Sequence, residues 1–553
     1  MVNKWRIECS RKCLCVLGLC VFLFTHTLYL NQVPGLHFDE AWSANYAAQI
    51  ATAGFPWNLE AMSPYTAPWV HWITAFFFKV FSINLFTFRA VGVLFSLLGA
   101  VLLSGALKLS SHPRAAAALP WILAVFVPSV TNHRFFIEIT TFHVFCFGLL
   151  CFGLALSSVP EKDIGPKNKT LSAQSLFLVL FAPKGLTGSL SAKQGFRTAS
   201  SFLILVSIFF GVTSHILFLA PTLALLLLIV FTQKELNSQQ RTLITLLSLL
   251  FLPYFIRIAL TLPEKDKAIA LLVMNGLFLV WVSFFKGRIP FSDLWKHRIL
   301  RVIKILTIPS LGYLLFFSQG DWSVLFTQGW IKYSFLRPFS IFLTLAISAK
   351  LILNSFRTQT DFESKLTLWF TLTLFILELI ILKPTTRYYE TGFLFLAVLL
   401  TIDLTRKSKF PSLLLFLAFL VLNSLQLSLN YLSVGRAGLG RNQVFGTFFL
   451  KDRSTDHLSK WELIQYLIDQ GCGLEDIQSE NSRLMESLKF LSIGDWKLTS
   501  PKRPCTIGGS IDSFGGFKAS PITIQIKPAA SEVSQSESTA LDSYQVVPLQ
   551  KRE

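Results

Sequence analysis

Apolar runs separated by short polar or basic breaks fill most of the chain, from Cys13 to about Leu429. A helix needs about 20 residues to cross roughly 30 Å of hydrocarbon, and in lipid the backbone must satisfy its own hydrogen bonds, so these runs predict transmembrane helices. They fall at Cys13–Leu30, Phe86–Leu107, Ala115–Val130, Thr140–Ser157, Ser201–Thr213, Ile216–Phe231, Thr242–Leu260, Ala268–Phe285, Ile305–Phe317, Ser340–Leu353, Leu366–Leu382, Gly392–Leu404 and Phe410–Leu429. That makes about thirteen spans, an all-α polytopic membrane protein. Two stretches after the first span, Asp39–Ile50 and Trp69–Phe81, are amphipathic and are predicted to lie along the membrane interface.

The pattern changes at Asn430, where the sequence becomes mixed polar. An amphipathic segment over Leu458–Gln470 ends at Gly471, and Ile522–Ile526 alternates like a strand, so a small C-terminal α/β domain is expected. The organisation read from the chain is a transmembrane domain over 1–430 with a large loop at 31–85, a domain over 431–528, and a tail over 529–553. The Ser, Glu and Gln content of that tail predicts disorder.

Composition agrees with lipid as the solvent: 52% of the 553 residues are hydrophobic and 15% charged, and the mean hydropathy is +0.54. The net charge of +19 invites a nucleic-acid reading, but its distribution argues against one. Lys4, Arg6, Arg11 and Lys12 precede the first span, a second cluster runs from Lys286 to Lys304, and a third is Arg406, Lys407 and Lys409. Spans flank each cluster, the pattern of positive charge kept in the cytoplasm. No nucleic-acid partner is expected.

With this orientation the N-terminus is cytoplasmic, the 31–85 loop is extracytoplasmic, and an odd number of spans carries the C-terminal domain to the same outer face. The first run follows a basic segment as a signal peptide would. Leu30-Asn31-Gln32-Val33-Pro34 offers no small-residue cleavage site, so it is read as a retained anchor. Of the eight cysteines, six lie in or beside spans as small apolar fillers, whereas Cys472 and Cys505 sit in the polar tail, where an oxidising compartment would allow one disulfide.

Acidic residues are scarce beside the apolar runs, so each that occurs there is a candidate for chemistry. Asp39-Glu40 follows a turn and opens an amphipathic helix, where Asp39 can act as an N-cap and Glu40 can face the positive end of the helix dipole. A second group, Thr131-Asn132-His133-Arg134 with Glu138, lies at the same predicted face, and Lys383-Pro384-Thr385-Thr386-Arg387-Tyr388-Tyr389-Glu390 brings another cation and two aromatics there. No Asp-x-Asp pair or dinucleotide fingerprint is present to hold a nucleotide sugar.

This ordered set resembles the GT-C class of membrane glycosyltransferases, in particular bacterial relatives of protein O-mannosyltransferases and of the lipid A aminoarabinose transferase. The likeness lies in His37-Phe38-Asp39-Glu40-Ala41-Trp42 in the first outer loop and the aromatic segment Pro64-Tyr65-Thr66-Ala67-Pro68-Trp69-Val70-His71-Trp72. It extends to Arg89 opening the next span, His133-Arg134 with Glu138, and Arg387-Tyr388-Tyr389. The aminoarabinose transferases carry a lysine before the proline pair where this chain has Thr66-Ala67-Pro68, so the resemblance does not bring that donor with it.

The resemblance implies a polyprenyl-phosphate sugar donor, undecaprenyl- or dolichyl-linked, and transfer of a hexose or pentose to a hydroxyl of a glycan, lipid or protein acceptor outside a bacterial inner membrane. Asp39, Glu40 and Glu138 are then the candidate catalytic carboxylates, with Asp39 as base. Arg387, Arg134 and Tyr388 are the candidates for the donor phosphate, and His37, His71, Trp72 and His133 for the wall of the cavity. His71, His133 and His215 are candidate polar liners of the cavity but are read first as hydrogen-bonded packing residues, and Trp42, Trp69 and Trp72 are read as an interfacial belt ahead of a stacking face for sugar. The sequence fixes no cofactor and gives no decisive metal-ligand set, although Asp39 and Glu138 leave a shared divalent cation open. The rival reading is a multi-pass transporter or lipid flippase, which would place ionisable groups near the bilayer centre and often show internal repeats.

Overall fold

The computed structural model describes residues 2–28, 30, 38–53, 66–134, 136–157, 192–232, 362–380 and 386–405, four short strands after residue 471, and single positions including Phe490. The expected spans Thr242–Leu260, Ala268–Phe285, Ile305–Phe317, Ser340–Leu353 and Phe410–Leu429 lie outside the described residues apart from isolated helical positions, as does the 458–470 segment.

Among the described residues, three helices are long and apolar enough to cross a membrane: Cys9–Thr27, Leu85–Leu109 and Glu138–Ser157. Shorter apolar helices accompany them at Pro113–Val125, Ala199–Ser214, Ile216–Ile229 and Lys365–Leu377. The chain is therefore a membrane protein with a helical body. In chain order, α1 is Val2–Thr27, α2 Phe38–Ala53, α3 Trp69–Val80, α4 Leu85–Leu109, α5 Pro113–Val125 and α6 Val127–Arg134. A π-turn over Glu138–Phe142 leads into α7, His143–Ser157. Then come α8, Ala192–Ser214; a 3-10 turn over Ile216–Phe218; α9, Leu219–Thr232; and α10, Phe362–Ile380. A second 3-10 turn over Thr386–Tyr389 opens α11, Glu390–Leu404.

Local chemistry sets several boundaries. Asn84 caps α4, its side-chain oxygen accepting from the Thr87 backbone N–H at 2.8 Å. The single span expected at Ala115–Val130 is instead two helices, divided at Phe126, whose ψ of 105° is extended. Pro128 accounts for the division, since it has no N–H to donate to the carbonyl four residues back and belongs in a first turn. At the start of α7 the His143 backbone N–H donates to the Glu138 carbonyl, the five-residue spacing of a π-turn.

The core is built on α4. It packs along α7 and α5, with α1 against α5, α8 against α7, α10 against α9, and α11 against α5. Small residues allow the closest of these approaches. A Cβ on Gly99 would lie 2.6 Å from the Val144 carbonyl oxygen, and one on Gly148 would lie 2.7 Å from that of Gly99. Hydroxyls join α8 to α7: Ser207 Oγ donates to the Cys146 carbonyl at 2.6 Å and Ser200 Oγ to that of Gly153 at 2.8 Å.

A buried ion pair joins α2 to α4. Arg89 Nε and one terminal nitrogen donate to the two oxygens of Glu40, each at 2.7 Å, and both side chains are 0% exposed. Arg89 also donates to the Leu30 carbonyl at 2.9 Å, and the Phe136 N–H donates to Glu40 at 3.2 Å. The network thus gathers four separate segments.

After the helices, β1 (Cys472–Ser479), β2 (Arg503–Gly508), β3 (Thr523–Ile526) and β4 (Gln545–Pro548) form one sheet in that order, parallel between β1 and β2 and antiparallel elsewhere. The expected strand around Ile522–Ile526 is β3. β4 falls inside the stretch whose composition predicts disorder, because Gln545-Val546-Val547 restores β-forming residues after the polar run. Cys472 stands opposite Arg503 and Cys505 opposite Ile477 in the register. Before this sheet closes, Phe490 packs into the helical body, with its ring centroid 5.9 Å from Phe88 and 6.4 Å from Phe78, and is 2% exposed.

Candidate functional site

Four residues of α2, Asp39, Trp42, Ser43 and Tyr46, follow the i, i+3, i+4, i+7 spacing of one helix face. That face forms one wall of a hollow of about 160 Å³. The rest is lined by Thr66, His71 of α3, Ile137, Glu138 and Ile139 at the π-turn, His215 between α8 and α9, and Tyr388 in the turn before α11.

Each wall is held by a specific bond. The Ala67 N–H donates to the Thr213 carbonyl at 2.9 Å, and Trp69 Nε1 donates to the Thr213 hydroxyl at 3.0 Å, which fixes the Pro68 entry into α3 and with it Thr66 and His71. His215 Nδ1 accepts from the Leu217 N–H at 3.3 Å and so caps the 3-10 turn that follows it. Glu138 owes its place to the π-turn, whose wider winding sets the first residues of α7 out of phase with an α-helix.

Inside the hollow, His71 Nε2 lies 2.8 Å from Ser43 Oγ and 3.3 Å from Glu138 Oε1. Burial pushes the His71 imidazole down to about 3, so at neutral pH its approach to Glu138 joins a neutral ring to the carboxyl group. Ser43 and Glu138 meet the same nitrogen, whereas a serine–histidine–acid relay needs them on opposite nitrogens; this is not a hydrolase triad. His71 Nδ1 and the Tyr46 hydroxyl are buried with no hydrogen-bond partner among the described residues, and the two rings meet edge to face at 5.2 Å. Burial also raises the Tyr46 phenol, which stays protonated. Asp39 is half-buried and near enough for its charge to act on Glu138.

The hollow therefore offers two carboxylates, a neutral imidazole, hydroxyls and aromatic faces, a set suited to hydrogen-bonding a polyhydroxylated ligand and to accepting a proton from it. Among the described residues, no group of three or more His, Cys, Asp or Glu is arranged to hold a metal ion. Among the described residues, Asp39 and Glu138 are the two carboxylates in the lining.

The sequence candidates part company here. Asp39, Glu138, His71 and Tyr388 share the hollow. Glu40, one residue from Asp39, is turned to Arg89 and is held there by a bidentate pair. Arg134 is buried at the end of α1, donating to the Thr25 carbonyl at 2.9 Å and the Leu28 carbonyl at 2.6 Å, the position of a cation at a helix end. His133 bonds Glu390 through Nε2 at 2.8 Å, away from the hollow. Trp72 meets Trp69 edge to face at 5.0 Å and packs beside Tyr46 and Ile50. The turn carrying Arg387 is described but its side chain lies outside the described residues, as does His37.

His215 and Trp42, each weighed from the sequence for a place at the cavity, also line the hollow, and Ser43, Tyr46, Thr66, Ile137 and Ile139 complete the lining without having been assigned to it. For Ser43 and Tyr46 the signal was available, since the helical face that starts at Asp39 contains them. Glu390, which closes the late outer segment read from the sequence, was given no role there: it is buried, accepts from Asn132 Nδ2 and meets His133 Nε2 at 2.8 Å.

No family model matches the chain, and no curated protein matches it in sequence. Among solved structures the chain is similar to ArnT from Cupriavidus metallidurans bound to undecaprenyl phosphate, at 13% identity and a TM-score of 0.36, over 93% of this chain and 87% of that one. The same protein in the apo state matches at 11% identity and a TM-score of 0.36, over 92% of this chain and 93% of that one. At such identity and TM-score the likeness decides neither family nor activity.

Proposed function

We propose that the chain is a membrane glycosyltransferase that moves a sugar from a polyprenyl-phosphate lipid to an acceptor hydroxyl on the extracytoplasmic face. The observation that carries this reading is the convergence of Asp39, Glu138 and Tyr388 on one hollow, with Glu138 at the head of a helix long and apolar enough to cross a membrane. These residues come from three separate segments of the chain, and they are the ones whose order resembles the GT-C pattern.

Asp39 accepts the proton of the acceptor hydroxyl as that oxygen attacks the anomeric carbon, and the bond to the lipid phosphate breaks on the opposite side with inversion. Glu138 and neutral His71 orient hydroxyls of the ligand. Arg387, adjacent to Tyr388 in the 3-10 turn, binds the phosphate as negative charge grows on it. The donor's prenyl tail, undecaprenyl or dolichyl, stays among the apolar helices while its head enters the hollow.

The test is to incubate the purified protein in nanodiscs with a panel of polyprenyl-phosphate sugars, with candidate glycan, lipid and peptide acceptors, and to follow donor consumption and product mass by mass spectrometry. Transfer or hydrolysis of a sugar, abolished by Asp39→Asn in a folded protein, supports the assignment. Absence of both across the panel, with protein-dependent movement of the lipid between leaflets, would establish the flippase reading in its place.

A further inference from the structure

Glu390 is the first residue of α11 and follows directly on the 3-10 turn over Thr386–Tyr389. Its carboxylate is 0% exposed and accepts from Asn132 Nδ2 on one oxygen and meets His133 Nε2 at 2.8 Å on the other. Both partners sit at the end of α6, just before the chain enters the π-turn that presents Glu138. The 3-10 turn itself packs against both α6 and the π-turn. One carboxylate therefore ties the segment that brings Tyr388 to the hollow to the segment that brings Glu138.

The arrangement carries a cost that simple packing would avoid. Asn132 Oδ1 and His133 Nδ1 are buried with no hydrogen-bond partner among the described residues, so each side chain commits one polar atom to Glu390 and leaves its other one unmatched. An apolar contact could hold two turns together without stranding two buried polar atoms. A carboxylate that fixes both oxygens in direction, however, sets the relative orientation of the turns more sharply than apolar packing does. At the N-terminus of α11 the charge is also favoured by the helix dipole.

We infer that Glu390 is a positioning residue, which locks the Arg387–Tyr388 turn against the Glu138 turn so that the phosphate-binding and hydroxyl-binding walls of the hollow keep one spacing. The inference rests on the glycosyltransferase reading for its kinetic consequence and on the fold alone for its structural one.

The experiment has two arms on the full-length protein in nanodiscs. Hydrogen exchange followed by mass spectrometry compares wild type, Glu390→Ala and Glu390→Gln. Exchange in Glu390→Ala is expected to rise together in peptides covering 136–142 and 386–389, while α4 and α7 keep their protection, and Glu390→Gln, whose amide can still engage both partners, is expected to recover most of it. In the kinetic arm, kcat of Glu390→Ala falls about 100-fold, the scale of a misplacement of roughly 1 Å, with KM for the donor nearly unchanged and again with rescue by glutamine.

Unchanged exchange at both turns in the alanine variant overturns the proposal, as does loss of protection through the whole helical body, which would make Glu390 a stability residue only. Should the alanine variant fail to fold, Asn132→Ser removes one of the two donors and is read in the same way. If the wild type transfers no sugar, the exchange arm still decides the latch while the glycosyltransferase reading fails separately.

Discussion

Asp39 and Glu40 are adjacent in the chain yet serve different parts of the molecule: Asp39 faces the hollow and Glu40 is locked to Arg89. Successive residues of a helix point about 100° apart, so the two carboxyl groups leave α2 in different directions. The two are therefore separable by mutation. Asp39→Asn should leave the melting temperature within a few degrees of wild type and lower transfer by about 100- to 10,000-fold, the range for loss of a positioned base. Glu40→Ala should act through the fold, destabilising by about 3–5 kcal/mol because Arg89 is left charged and buried. Thermal unfolding and transfer assays on both variants check the division, and equal activity loss with equal stability in the two would contradict it.

Under the proposed function, Arg387 acts on the negative charge that grows in the transition state. Arg387→Ala is expected to lower kcat by about 100- to 1000-fold, the effect of removing one donor to developing negative charge, with a much smaller change in KM. A loss confined to a higher KM for the lipid donor would make Arg387 a binding residue instead.

The α4–α7 contact should tolerate no added methyl group. Gly99→Ala and Gly148→Ala each place a carbon against a backbone carbonyl of the facing helix, and each is expected to cost about 1–3 kcal/mol. The double variant should lose less than the sum, because separating the helices for one methyl makes room for the other. Chemical unfolding of the four proteins in detergent measures this, and full additivity would argue against a shared contact.

His71 predicts an acid-sensitive fold. Burial holds it at about 3 in the folded state against an ordinary value of 6.5. Between those values the unfolded chain binds a proton that the folded one refuses, so this contribution is intact above pH 6.5 and is lost progressively as pH falls towards 3, at up to about 1.4 kcal/mol per pH unit. Melting temperature followed from pH 7.5 to 4 should show the decline. His71→Gln should flatten it, and an unaltered slope in that variant would remove His71 as the cause.

The sequence made the helical body readable wherever apolar runs have clear ends. The span expected at Phe86–Leu107 is observed as Leu85–Leu109, with Asn84 supplying the cap, and the amphipathic stretches at Asp39–Ile50 and Trp69–Phe81 are α2 and α3. Hydropathy could not divide Ala115–Val130, because Phe126 is as apolar as its neighbours and the interruption comes from a missing N–H at Pro128. The site was legible as a set of segments more than as a set of side chains. Glu40, Arg134 and His133 stand in the right segments, but each is claimed by a partner remote in the chain, Arg89, the end of α1 and Glu390 respectively. Such pairings depend on how helices cross, which local pattern does not encode. Glu390 shows the converse: in the sequence it is one more acid after two tyrosines, and its burial against Asn132 and His133 comes from helix packing alone.

Phe490 carries a consequence for the threading of the whole chain. It rests on Phe88, in the first turn of α4, and on Phe78 of α3, so the polypeptide returns late to the side of the bilayer from which α4 departs. A glycosylation or protease-protection tag placed beside Phe490 is therefore expected to report the same compartment as one placed between α3 and α4.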